Sequence, residues 1–148
     1  MAPVTRTRSS SGSCGTRKRS PMTVGRYVDL KAWQSAMMLV AEVYRLSLEL
    51  PSSERYGLVR QMRRAAISVT SNIAEGHARR SKREYLRFVV VATGSLAELE
   101  SQLLVVERLD LVVHGRLTRA MMLVDRTGRL LRGLEHALAA KVLHRERG

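Results

Sequence analysis

Five cations stand within nine residues of this 148-residue chain: Arg79, Arg80, Lys82, Arg83 and Arg87. Guanidinium and ammonium groups at that density offer forked and point-charge donors to phosphate oxygens, so the chemistry they suit is the binding of a polyanion. Arg60, Arg63 and Arg64, on the helix expected just before them, extend the set. Cations at the start of a helix oppose its macrodipole, so helix stability does not account for the cluster. A phosphate backbone would meet both the side chains and the exposed N–H groups of that helix end. The plainer alternative is a solvated, partly salt-bridged corner. The arginines have no aromatic platform in the sequence around them, which favours backbone or shape recognition over base stacking.

Catalytic and metal chemistry find little support. A di-iron bundle needs Glu-x-x-His pairs, but the residues three before His77, His114, His136 and His144 are Ala74, Leu111, Gly133 and Lys141. No H-E-x-x-H, P-loop, G-x-S-x-G or dinucleotide fingerprint is present. Glu98, Glu100 and Glu107 read as solvated or arginine-paired acids on a helix rather than a general acid–base pair. Ser68, Ser71 and Asn72 read as small polar residues of a helix interface, and no histidine base accompanies the serines. The expectation is a non-enzymatic protein without catalytic residues, metal, cofactor or small-molecule substrate.

The formal charge of +13 agrees with a polyanionic partner. Arginine far outnumbers lysine, a bias that a GC-rich coding sequence also produces. Residues 1–26 hold Arg6, Arg8, Arg17, Lys18, Arg19 and Arg26 with no acid, a local charge of +6. Their few apolar residues have no period, and burying each returns roughly 2 kcal/mol. Ordering each backbone residue costs about 1–2 kcal/mol, so the segment is expected to be disordered. It reads as a basic arm or as an artefact upstream of a start at Met22, with a targeting peptide less favoured for lack of an amphipathic face. Cys14, the lone cysteine, forms no internal disulfide, which makes a reducing cytoplasm the default. No uninterrupted apolar run approaches the roughly 18–20 residues that span a bilayer, so no membrane partner is expected.

The elements that must position these residues read as helices. Hydrophobic residues are 45% of the chain but aromatics only 4%, a palette of Leu, Val, Ala and Met that suits helices. Asp29 is a candidate cap for a first helix over about 30–50, stopped by Pro51. Trp33, Met37, Val40, Tyr44 and Leu48 form one stripe, and Ala36, Leu39, Val43, Leu46 and Leu50 a second beside it. That arc is wider than a monomeric bundle needs and predicts oligomerisation. A second helix over about 54–75, capped by Ser52 or Ser53, turns Leu58, Met62, Ala65, Val69 and Ile73 inward and ends at Gly76 as its C′ residue. Ser81 and Glu84 form a capping box before a third helix over about 82–109. Tyr85, Val89, Ala92, Leu96, Leu99, Leu103 and Val106 recur along it at alternating spacings of four and three. A fourth helix over about 116–144 uses Leu117, Met121, Val124, Leu131, Leu134 and Leu138, weakened by Gly128 and Gly133 at roughly 1 kcal/mol each. The expected fold is all-α, an antiparallel up-down-up-down four-helix bundle over residues 27–148.

At these residues the chain resembles the bacterial four helix bundle proteins, also called the 23S rRNA intervening-sequence protein family. The matching stretches are "DLKAWQSAMML", "ELPSSERYGLVRQMRRAAISVTSNIAEG" and "ATGSLAELESQL", with weaker similarity in "RLLRGLEHAL". The amino-terminal tail has no counterpart. The resemblance implies a cytoplasmic bundle that assembles into a homo-oligomeric ring of five, with a link to ribosomal RNA or ribosomes. It also relates the chain to the accessory subunits of diversity-generating retroelements, which bind a reverse transcriptase and its RNA through a basic surface. It carries over no catalytic residue. Ser71, Asn72, Glu75 and Gly76 match its motif, and Asn72 and Glu75 are expected to be polar residues of the bundle or an interface.

The leading expectation is thus a non-enzymatic oligomer that binds structured RNA, or an RNA–protein complex, through its basic face. The alternative is a protein-interaction scaffold that docks a partner such as a reverse transcriptase.

Overall fold

The structure is a computed structural model that describes residues 25–147. The tail expectation for residues 1–26 therefore lies almost wholly outside the described residues. A 3₁₀ turn at Tyr27–Asp29 leads into α1 (Lys31–Ser47), and a second 3₁₀ turn at Ser52–Glu54 leads into α2 (Leu58–Ala78). Then come α3 (Lys82–Arg108) and α4 (Thr118–Glu146), with no strand among the described residues. Each helix packs on two neighbours in the cyclic order α1–α2–α3–α4, so α1 and α3 stand across one diagonal and α2 and α4 across the other. With short links between them, the helices form an up-down-up-down four-helix bundle.

The seven-residue periodicity of α3 is realised without a slip. Tyr85, Val89, Ala92, Leu96, Leu99, Leu103 and Val106 are its buried residues. They meet Met62, Ala65, Val69 and Ile73 from α2, Ala36, Leu39, Val43 and Leu46 from α1, and Leu117, Val124, Leu131 and Leu138 from the α4 side in one core. Polar links join the helices at fixed heights: Ser35 to Thr127 at 2.9 Å, buried between α1 and α4, and Ser68 to Ser95 at 2.8 Å, part-buried between α2 and α3. Buried hydroxyls need such partners, so each pair favours one axial register.

The ends of the helices differ from the expected ones for local reasons. Asp29 does not cap α1, because the 3₁₀ turn absorbs it; Leu30 holds the N-cap position and its N–H donates to the Tyr27 carbonyl at 3.1 Å. Neither Ser52 nor Ser53 caps α2. The Glu54 N–H donates to the Pro51 carbonyl at 2.9 Å in the second 3₁₀ turn, and α2 starts four residues later, after Gly57. Gly76 is not a C′ residue at all: α2 runs through it to Ala78. A Cβ at position 76 would lie 2.7 Å from the Phe88 Cβ and 2.8 Å from the Tyr85 Cδ2, so this glycine lets α2 and α3 approach closely. Asp110, at φ 50°, follows α3 in the left-handed conformation that usually falls to glycine. The Leu111 N–H then closes the end by donating to the Val106 carbonyl at 3.1 Å.

Two of the four helices keep an apolar face outward. On α1 the stripe of Trp33, Met37, Val40, Tyr44 and Leu48 stays half-buried to exposed, Leu48 at 80%, while its neighbour stripe fills the core. On α3, Val90, Val91, Leu104 and Val105 are exposed along the side away from the core. By length and composition alone α3 could also cross a bilayer, but here its buried stripe is the centre of the bundle.

Candidate nucleic-acid interface

The antiparallel course of the chain brings the end of α2, the start of α3 and the end of α4 to one end of the bundle. There Arg80, Ser81, Lys82 and Arg83 face Lys141, Val142 and Arg145 across an open cleft of about 560 Å³. Ser81 starts α3 as its N-cap, its hydroxyl accepting from the Glu84 N–H at 3.5 Å. The cap fixes where the helix begins, and so aims Lys82 and Arg83 from its first turn. Lys141 and Arg145 were absent from the sequence-derived set. Their signal was nonetheless present: the basic residues in "KVLHRERG" must return beside α3 once α4 runs antiparallel to it.

On the α2 side of this end lies an aromatic layer. The Arg79 guanidinium carbon is 4.9 Å from the Phe88 ring centroid and that of Arg87 is 5.9 Å from it. The Lys82 Nζ lies 5.9 Å from the Tyr85 ring, and His77 meets the same ring edge-on at 5.8 Å. The expectation of no aromatic platform is thus corrected. Phe88 and Tyr85 are platforms for the cations themselves, which stack on their faces and are held outward. Tyr85 is buried, its hydroxyl has no hydrogen-bond partner among the described residues, and burial pushes its pKa up. Arg79 also pairs with Glu75 one helical turn before it, so Glu75 belongs to this outer corner rather than to the bundle interior.

Arg60, Arg63 and Arg64 do not join the corner. They sit in the first two turns of α2, from about 22 Å (Arg64) to about 28 Å (Arg60) before Arg79 at 1.5 Å per residue. Arg63 is half-buried with its guanidinium 4.5 Å from the Tyr44 ring centroid. Arg60 and Arg63 line a separate groove of about 690 Å³ with Arg55, Tyr56 and Leu50. Sequence reading merged the two groups because both flank one motif; the length of α2 separates them. Of the motif's polar residues, Ser71 is exposed, whereas the Asn72 amide donates to the Ser68 carbonyl at 2.8 Å and its hydroxyl at 3.1 Å. Asn72 therefore steadies the Ser68–Ser95 link between α2 and α3.

A buried carboxylate marks the far end. Glu42 accepts from the Arg116 Nη1 at 2.7 Å and lies 3.3 Å from both Arg45 and Arg119, while Arg116 Nε donates to Glu49 at 2.7 Å. Burial would raise the Glu42 pKa, but the Arg116 hydrogen bond and the surrounding positive charges outweigh it and hold it below the usual carboxylate range. These groups are all taken up in joining α1 to α4. No cluster of three or more potential metal ligands occurs among the described residues.

The comparisons agree with this architecture. A crystal structure of a protein of unknown function from the S23 ribosomal protein family of Bacteroides thetaiotaomicron VPI-5482 superposes with a TM-score of 0.65. The match covers 70% of this chain and 97% of that one at 15% identity, a likeness of fold. Among curated proteins none matches the chain. The family model described as 23S rRNA-intervening sequence protein matches residues 28–133, which takes in α1, α2, α3, the Ser68–Asn72–Ser95 link and the close contact at Gly76. With its bundle and its motif both accounted for, the chain belongs to the 23S rRNA-intervening sequence protein family.

Proposed function

We propose that this protein is a non-enzymatic, homo-oligomeric module that binds structured RNA through its basic corner. The observation that carries the reading is the convergence of Arg80, Lys82, Arg83, Lys141 and Arg145 from separate helix ends on one open cleft. Helix-end dipoles explain Lys141 and Arg145 but oppose Lys82 and Arg83. A line of phosphates satisfies both groups. The chain also enters α1 at this end of the bundle. The family name adds ribosomal RNA as the natural class of target.

The test is a titration of the full chain with a structured RNA across salt concentration. Binding should weaken with a log–log slope of about −0.7 to −0.9 per phosphate neutralised. Arg80→Glu/Arg83→Glu should lower affinity roughly tenfold or more at physiological salt. An affinity that ignores both salt and this double charge reversal would sink the reading.

Self-association follows from the outward apolar faces. Those of α1 and α3 lie on diagonally opposed helices, so one copy's α1 face and the next copy's α3 face make a head-to-tail contact, which closes into a ring or runs on as a filament. Gly94 lies exposed within the α3 face, and a Cβ there would meet nothing within 4 Å. Its absence leaves room for a neighbouring backbone rather than for packing inside the chain. A ring, with five copies as the family resemblance implies, should give a light-scattering mass several times 16.6 kDa. Val91→Glu/Val105→Glu should return it to one chain; a wild-type monomer at micromolar concentration would exclude the ring.

A further inference from the structure

We infer that copies of this chain meet through a charge-complementary contact at one end of the bundle: the basic α1–α2 turn of one copy seats against an acidic groove between α3 and α4 of the next. The inference rests on the self-association reading and names the surfaces that meet and their register. At the α1–α2 turn, the groove of about 690 Å³ carries Arg55, Arg60 and Arg63 together with two protruding apolar side chains, Leu48 at 80% and Tyr56 at 81% exposure. Arg63 is held in place over the Tyr44 ring, whereas Arg55 and Arg60 are exposed and make no ion pair among the described residues. On the opposite side of the bundle a second groove, of about 520 Å³, runs between the end of α3 and the start of α4. Glu107, Asp110 and Asp125 supply its charge, and Val112, Val113, Met121 and Met122 its apolar lining. Glu107 and Asp110 make no ion pair among the described residues, and Asp125 pairs only with the exposed Arg129. The α4 cations that could neutralise this groove, Arg116 and Arg119, are drawn to the α1 side by Glu42 and Glu49.

An acidic groove is the exception on a chain of formal charge +13, and its carboxylates repel an RNA backbone. They suit the unpaired arginines of the α1–α2 turn. The two surfaces lie on opposite sides of one copy, so they meet only between copies. In the contact, Leu48 and Tyr56 cover the apolar lining, and Arg55 and Arg60 reach the acids of the next copy. The heights also agree. Arg116, from the link between α3 and α4, donates to Glu49 just beyond α1 at 2.7 Å, so the turn and the acidic groove stand at the same end. Since α1 and α3 run in the same direction, pairing these ends sets successive copies side by side with no axial step. A head-to-tail contact without an axial step closes into a ring, whereas a step would wind it into a filament. The exposed apolar faces of α1 and α3 extend the same contact along the bundle.

The experiment follows mass against concentration for the full chain by light scattering. Arg55→Glu/Arg60→Glu and Glu107→Lys/Asp125→Lys should each raise the concentration at which the assembly dissociates roughly tenfold or more. All four substitutions in one chain again place opposite charges across the contact and should restore the mass towards the wild-type value. The four positions are exposed, and circular dichroism checks the fold of each variant. If the wild type assembles and neither reversal shifts its dissociation, or the combined variant fails to recover, the charged contact is overturned while self-association through the apolar faces stands. If Arg55→Glu/Arg60→Glu leaves the assembly intact and weakens only RNA binding, the basic groove belongs to RNA and the pairing is overturned. A wild-type filament that lengthens with concentration overturns the level register. A wild-type monomer at micromolar concentration removes the contact and the self-association reading together.

Discussion

Replacing Gly76 with alanine should destabilise the bundle by about 2 kcal/mol, although the same change in an ordinary helix interior stabilises by about 1 kcal/mol. The added Cβ would sit 2.7 Å from the Phe88 Cβ, 2.8 Å from the Tyr85 Cδ2 and 3.3 Å from the Tyr85 carbonyl oxygen. A long side chain could swing aside. The Phe88 Cβ is fixed to the α3 backbone, and Tyr85 is buried among core neighbours, so the helices themselves must part. The lost contact spreads beyond one residue, because the α2–α3 seam also carries the Ser68–Ser95 link.

Urea or thermal unfolding at fixed protein concentration measures the effect, with Gly133→Ala as the internal control. At position 133 the Cβ meets nothing, so the control should gain up to about 1 kcal/mol from helix propensity alone. Opposite signs at two mid-helix glycines are the signature of a close helix approach at one of them. If Gly76→Ala were as stable as the wild type, the contact with Phe88 would have no structural weight. If the proposed RNA binding holds, the same variant should also weaken it, since Phe88 supports Arg79 and Arg87 near the corner.

How much of this was legible in the sequence depended on how far each feature reached along the chain. The α3 stripe was fully legible, because seven apolar residues at alternating spacings of four and three admit one helical face and all seven are buried. The Ser81 cap was legible for the same reason: its hydroxyl and the Glu84 N–H are three residues apart. Gly76 was read as a helix stop, since a glycine near the end of an apolar period usually is one. Only the neighbouring helix, twelve residues on, reveals that it answers to Phe88. The basic residues were grouped by nearness in sequence, which says nothing about which end of a 21-residue helix each occupies. Lys141 and Arg145 were missed although the topology already implied their place. The apolar excess on α1 was legible as a second stripe, but the matching face on α3 was not. Val90, Val91, Leu104 and Val105 were hidden among the core residues of an evenly apolar segment.

Glu42 had no sequence signal at all, yet its replacement by glutamine should cost about 2–3 kcal/mol at neutral pH. Its side chain is 4% exposed and meets Arg116, Arg45 and Arg119, so removing its charge leaves three cations around a neutral amide. Breaking a buried pair typically costs about 3–5 kcal/mol. The lower figure follows because Arg116 keeps Glu49 as a partner and Arg45 and Arg119 are 62% and 65% exposed. The pH dependence carries the sign. The folded-state pKa of Glu42 lies below that of the unfolded chain, where a glutamate titrates near 4.3. Its stabilisation is therefore fully present above about pH 5 and is lost as pH falls through the unfolded value to the lower folded one. Denaturant unfolding of wild type and Glu42→Gln should show a constant gap from pH 7 to about 5 that narrows steadily below about 4. A gap unchanged down to about pH 3 would mean that the amide loses only shape or hydrogen bonds and that the charge of Glu42 contributes nothing to joining α1 and α4.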